Sequence, residues 1–330
     1  MLERLAGNDA LKRELGTALH SGRLPHAVLI AHSILLVGEP GCGAGFAARC
    51  LAADYLYPAG GPHAEAVLKG EDSECLALRG EGASGQIPVK RVREAREAIQ
   101  RSALSTDAAG RVLFIYGAQN LNGTQGSSAN ALLKIIEEPP EGVLFLLTAP
   151  SAAVVLPTIR SRCAAYTIAP VPVADCAAHL RAERLPAAAA GELAFLYEGH
   201  IGTALKSWND PPTKAALGMA KTLCGYAAQG DTYRALALLT RYERDREGFA
   251  ALLWQLDQVC SAVLRRPAYG QEQCGGLTPE GAAKILRADA GARRSLQGNG
   301  NLRLNVAGGI DISICHCTSG RAMPAPALIY

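Results

Sequence analysis

The chain has 330 residues, of which 49% are hydrophobic and 19% charged, so it can bury a sizeable core in two or three domains and is not a disordered polymer. A net charge of +3 is too small to demand a nucleic-acid partner, and 5% aromatic residues argue against a base-stacking platform for single strands. The ten cysteines contain no CxxC pair, the N-terminal MLERLAGNDALKREL is charged and amphipathic rather than a signal peptide, and no apolar run is long enough to span a bilayer. These features lead us to expect free cysteines in a reducing cytoplasm and no membrane contact.

Asn8 is placed to cap a helix running to about His20, with Leu11, Leu15 and Leu19 on one face. Ile34 to Val37 reads as a short buried strand ending at Gly38. The loop Gly38-Glu39-Pro40-Gly41-Cys42-Gly43-Ala44-Gly45 follows, then a helix from Phe46 to about Leu56. Strand, glycine loop and helix form the architecture of a P-loop, in which Gly38, Gly41 and Gly43 let backbone N–H groups converge on an anion. Yet Ala44 stands where that motif has Lys, and Gly45 where it has the Mg²⁺-binding hydroxyl. A dinucleotide reading fails too, because Phe46 falls on its last glycine. Tyr57 to Gly85 is predicted as a loop. Ile87-Pro88-Val89-Lys90 starts a helix with Val92, Ala95 and Ile99 on its buried side, and Lys90, Arg91, Arg93, Arg96 and Arg101 cluster on it. That cluster is either a solvated face or a contact to a phosphate backbone or a neighbouring subunit. Arg111 to Tyr116 reads as a second strand.

Asn122 to Asn130 is a small-residue loop in which Ser127 or Ser128 can cap the next helix, Asn130 to Glu137, with Leu132, Leu133 and Ile136 at helical spacing. Pro139 and Pro140 end it. Glu137 and Glu138 offer a paired acid/base role or a conformational joint. The joint is favoured, since no nucleophile or His sits nearby in sequence. Val143 to Thr148 is apolar on both faces, as in the centre of a parallel sheet. Pro157 then opens a turn of helix that delivers Ser161, Arg162 and Cys163.

The run LLKIIEEPP, a core strand, then LPTIRSRC resembles the AAA+ clamp-loader subunits of bacterial DNA polymerase III, and most resembles the delta-prime type. The resemblance fades over about residues 1 to 210. It implies a P-loop-type parallel α/β sheet domain flanked by helices (1–168), a small helical lid (169–210) and an all-α collar (211–330). It also implies that Arg162, within Ser161-Arg162-Cys163, is an arginine finger pointing into a neighbouring subunit's ATP site. Other positions matched by the family depart from its pattern. Tyr116 and Gly117 stand where active members carry Asp-Glu, and Gly202 stands where many offer an Arg. Thr148 falls on the γ-phosphate-sensing position. Cys50, Cys75 and His63 are too few for the zinc module of many relatives, so zinc is not expected. Leu24-Pro25-His26-Ala27 resembles the family's entry to the first strand.

Beyond Pro170 and Pro172, helices are expected at Ala174 to Arg184, Pro186 to Tyr197 and from Gly199. Past Pro211-Pro212 they are expected at Thr213 to Tyr226, Thr232 to Tyr242, Glu247 to Arg266 and Pro279 to Ala288. Phe249, Leu252, Leu253, Leu256, Cys260 and Val263 form one apolar stripe. Asn301 to Asn305 weakly resembles a late family motif, and Cys315-His316-Cys317 supplies too few ligands for a metal. The resemblance therefore implies a non-hydrolysing subunit of a nucleotidyltransferase holoenzyme, without a cofactor or ATPase activity of its own. Its partners would be gamma/tau-type ATPase and delta subunits in a hetero-pentamer, the sliding clamp and, through the complex, primed DNA. Two alternatives are an active AAA+ ATPase with an unusual P-loop and a stand-alone DNA-binding protein.

Overall fold

The computed structural model describes residues 1–21, 33–82, 84–100, 107–121 and 127–297. Five parallel strands are β1 Ser33–Val37, β2 Cys75–Leu78, β3 Arg111–Tyr116, β4 Val143–Ala149 and β5 Ala164–Thr167. They form one sheet in the order β2-β3-β4-β1-β5. β4 sits at its centre and every one of its residues is buried. Successive side chains point to opposite faces. Ile34, Leu36, Val112, Phe114, Leu144 and Leu146 therefore enter one core, and Leu35, Leu113, Ile115, Phe145 and Leu147 the other.

Helices α1 Asp9–Ser21, α2 Ala44–Leu56 and α3 Pro62–Lys69 supply the first core. Helices α4 Val89–Ile99 and α5 Ser127–Glu137 supply the second. With both faces covered, the inner strands read as continuous apolar runs, which makes them visible in the sequence. The parallel sheet with helices on both faces, followed by an all-helical region, is the expected fold class. A short α6, Pro157–Arg160, leads into β5. Beyond it lie α7 Val173–Ala182, α8 Ala187–Leu196, α9 Ile201–Asn209, α10 Pro211–Gln229, α11 Thr232–Leu239, α12 Arg246–Arg265, α13 Pro267–Gln273 and α14 Pro279–Gln297.

Several local expectations are corrected. Asn8 precedes α1 with φ +54°, but its side chain is tied to the Ala169 backbone, accepting from N at 3.0 Å and donating to O at 3.1 Å. Ser128 does not cap α5; its buried hydroxyl donates to the Ile87 carbonyl at 2.7 Å. The segment read as a loop from Tyr57 to Gly85 holds α3 and the edge strand β2. A buried ion pair stitches it to β3, with Arg111 Nε 3.0 Å from Glu74 Oε2. The break between helices falls at Asp210, beside the expected Pro211-Pro212 boundary, but α10 starts at Pro211 rather than Thr213, and the Asp210 carboxylate caps it by accepting from Thr213 N at 3.1 Å. The motif at Leu24 to Ala27, Arg101, the loop at 122–126, Asn301 to Asn305 and Cys315-His316-Cys317 lie outside the described residues.

The chain divides into two compact units: Met1–Ala194 with Glu198–Ala204, and Phe195–Tyr197 with the residues from Leu205 onward. In the second, Phe249, Leu252, Leu253, Leu256, Cys260 and Val263 of α12 are all 0–1% exposed and form its core, packed against α10 and α14. Among the described residues no helix is long and apolar enough to cross a membrane.

Candidate functional site

Parallel strands align their C-terminal ends, so the loops after β1, β3 and β4 share one edge of the sheet. The glycine loop lies there. Gly41 and Gly43 adopt φ +92° and +105°, and α2 starts at Ala44. Positive φ favours glycine, and Gly41 has a second constraint: a Cβ there would lie 1.9 Å from Thr203 Oγ1. The start of α9 rests directly on the loop. Gly202 N–H donates to Gly41 O at 2.9 Å, Thr203 Oγ1 donates to Pro40 O at 3.3 Å, and His200 Nε2 stands 3.2 Å from Glu39 Oε2. A Cβ on Gly202 would approach Gly41 O to 3.1 Å. Where the family resemblance places an Arg, this chain makes a backbone contact that a side chain would crowd.

At the end of β3, where the family resemblance places the acid, the side chain facing the loop is Tyr116. A Cβ on Gly45 would touch the Tyr116 ring at 3.6 Å. That ring stacks on Phe114 and lies under the Arg79 guanidinium, 3.9 Å from its centroid. Thr148 is 9% exposed, and its Oγ1 accepts the Gly117 N–H at 3.2 Å. The hydroxyl is thus spent on holding the turn after β3.

Arg162 lies at the opposite edge. β5 pairs with β1 in register Ile34↔Ala164 and Val37↔Thr167. Arg162 precedes the first of these residues, whereas the glycine loop follows the last. A strand advances about 3.3 Å per residue, so the length of β5 separates this Arg from its own loop. Its turn is anchored from below. Ile159 is 0% exposed, and Cys163 packs against the core of β4 and α5, where burial pushes its thiol up to about 12. The Arg162 guanidinium emerges half-exposed. Nη1 donates to Thr158 O at 2.9 Å and lies 3.4 Å from Ser161 Oγ, while Nη2 is 2.6 Å from Glu137 Oε1. Sequence reasoning missed Glu137 as the partner. The only local sign was its place at the end of the predicted helix, one residue ahead of the Glu138-Pro139-Pro140 break.

The cations of α4 fall into two sets. Lys90 pairs with Glu94 at 3.8 Å, and Arg91 pairs with Glu81 at 2.7 Å and Glu94 at 3.3 Å. Arg93 and Arg96 instead line a groove of about 290 Å³ with Ser127, Asn130 and Lys134 of α5. Lys134, not singled out in the sequence, joins them because α4 and α5 pack side by side over the sheet. The groove is therefore lined by three cationic side chains and, among the described residues, by no acid.

Of the residues considered for zinc, Cys50 is fully buried on α2 and Cys75 is half-buried at the start of β2. Burial pushes both thiols up to about 12. The His63 ring stacks on Tyr57, with Nδ1 3.6 Å from Asp72 Oδ2. These three side chains do not fit a zinc site. Among the described residues, no group of three or more His, Cys, Asp or Glu could hold a metal ion.

The family model described as DNA polymerase III, delta subunit matches residues 7–172. DNA polymerase III subunit gamma/tau of Mycobacterium bovis is 34% identical over 166 residues, covering 48% of this chain and 27% of that protein. Subunit delta' of Escherichia coli is 28% identical over 203 residues, covering 61% of this chain and 58% of that protein. Subunit delta' of Haemophilus influenzae is 38% identical over 82 residues, covering 25% and 24%. The chain thus spans between about a quarter and three fifths of the length of these relatives. A solved DNA polymerase III gamma subunit-related protein from Thermotoga maritima aligns with TM-score 0.49 at 17% identity, covering 94% of this chain and 99% of that one.

Proposed function

This chain belongs to the DNA polymerase III, delta subunit family, and from that premise we propose that it is a delta-prime-type clamp-loader subunit that donates Arg162 in trans and hydrolyses no ATP itself. The observation that carries the reading is the placement of Arg162 at the edge of the sheet opposite its own glycine loop. A guanidinium there serves another protomer's phosphates or none. Phosphoryl transfer is mainly positioning and stabilisation of charge, and an Arg can supply the second without its own subunit binding nucleotide. The glycine loop supports the same division of labour. It has Ala44 for Lys, Gly45 for the hydroxyl and Tyr116 for the acid, so it lacks groups to hold Mg²⁺ or polarise water.

The partners under this reading are gamma/tau-type ATPase and delta subunits in a hetero-pentameric ring that loads the sliding clamp onto primed DNA in the cytoplasm. The test is ATPase turnover. The purified chain should show none with DNA present, and Arg162→Ala in the reconstituted ring should lower hydrolysis at the adjoining site. A supplied finger is typically worth about 10³–10⁵ in rate. An unchanged rate in the mutant ring would count against the proposal, and Mg²⁺-dependent turnover by the lone chain would favour the active-ATPase alternative.

The groove of Arg93, Arg96 and Lys134 favours one addition, a contact to the DNA phosphate backbone within the assembled complex. Lys90 and Arg91, occupied by acids, contribute less. Salt-dependent DNA binding by the lone chain would instead favour the stand-alone DNA-binding reading.

A further inference from the structure

Glu137 is the last residue of α5. A carboxylate at that point meets the negative end of the helix macrodipole, a poor location for an acid unless a cation stands against it. Arg162 is that cation, 2.6 Å away. Two elements therefore hold one guanidinium: the end of α5 through the carboxylate, and α6 through the Thr158 carbonyl. The grip covers Nη1 and Nη2. Arg162 Nε makes no hydrogen bond among the described residues, so one N–H of the planar fork stays on offer while the other side is held.

We propose that Glu137 is a positioning residue for Arg162, keeping the guanidinium oriented at the sheet edge for the phosphates of a neighbouring protomer; this rests on the arginine-donor reading above. A free Arg side chain gives up considerable rotamer freedom when it docks. Tethering it to Glu137 moves that loss from the encounter to folding. The tether is also weak enough to yield. Its side chains are 31% and 45% exposed, and a pair this exposed shifts an equilibrium by at most about fivefold. A donated guanidinium is worth about 10³–10⁵ in rate, so the carboxylate orients the Arg without locking it away.

The experiment uses the complete ring, reconstituted with wild-type chain, Glu137→Gln, Arg162→Ala or both, with kcat and KM for ATP and the melting temperature of each chain measured. Glu137→Gln should lower kcat by about three- to fivefold with KM and melting temperature unchanged, and should have no further effect in the Arg162→Ala background. An unchanged or raised kcat would overturn the proposal, as would a loss that simply adds to that of Arg162→Ala. The two ideas fail separately. If Arg162→Ala alone leaves the ring at full rate, the donor reading falls. If Arg162→Ala is damaging and Glu137→Gln is silent, only the positioning role falls.

Discussion

Asp289 on α14 is 2% exposed, and Arg293 Nε donates to its Oδ2 at 2.6 Å. Burial outweighs that contact and raises the carboxyl to about 6, with Asp257 adding to the rise. The folded chain holds this proton more tightly than the unfolded chain, whose carboxyl titrates near 3.8. Between pH 6 and about 4 the native state therefore binds more protons, and stability contributed by this group grows as pH falls through that window. A rise from 3.8 to about 6 corresponds to roughly 3 kcal/mol at most. Denaturant melts of wild type and Asp289→Asn should show wild type gaining on the variant as pH drops from 7 to 4. A difference independent of pH would refute the assignment. Arg162 shows the contrast. Its partly exposed pair with Glu137 is worth about 0–1 kcal/mol to the fold, so the residue is better explained by what it can reach than by what it stabilises.

The segment from α3 through β2 shows how an element can be held without an extended core. Glu74 and Arg111 are 0% and 8% exposed at their side chains, and the Arg111 Nη1 also donates to Ala98 O at 2.6 Å. Asp72 accepts from Tyr57 Oη at 3.1 Å and from Glu74 N at 3.0 Å. These polar contacts fasten the edge strand β2 to β3 and to the end of α2. Removing one partner of a buried pair strands the other charge, at a typical cost of about 3–5 kcal/mol. Glu74→Ala should therefore lower stability by that order in chemical denaturation and increase amide exchange in β2, while leaving α12 protected. Equal loss of protection in both elements would show that β2 is not the element this pair holds. Little in the local residue pattern marks β2 or β5. Cys-Leu-Ala-Leu and Ala-Ala-Tyr-Thr are short, half-exposed edge strands, without the continuous apolar run that betrays an inner strand.

At the scale of the whole molecule, the proposed role divides the chemistry of one reaction between protomers. Its cationic groove gives that role a further measurable consequence. In the reconstituted complex, Arg93→Ala, Arg96→Ala and Lys134→Ala should each weaken DNA binding about equally for all sequences. Each should also reduce the magnitude of the salt dependence by about one ion per lost phosphate contact. Lys90→Ala, whose partner is Glu94, should change the slope least. A slope unaltered by all three groove substitutions would remove DNA backbone from the list of partners.

The amino-acid order by itself determined the inner strands, helices α1, α2, α4 and α5 packed on them, the glycine loop stripped of its charged groups and the turn that presents Arg162. Each of these is written in contiguous residues: an unbroken apolar run, a helical period, a Pro break, a missing Lys. Only the tertiary structure decided that Glu137 faces Arg162, that Lys134 completes a groove begun by Arg93 and Arg96, and that the start of α9 lies on Gly41. Those pairings join residues 25, 41 and 161 positions apart, and nothing in local periodicity records which distant side chains packing will bring together.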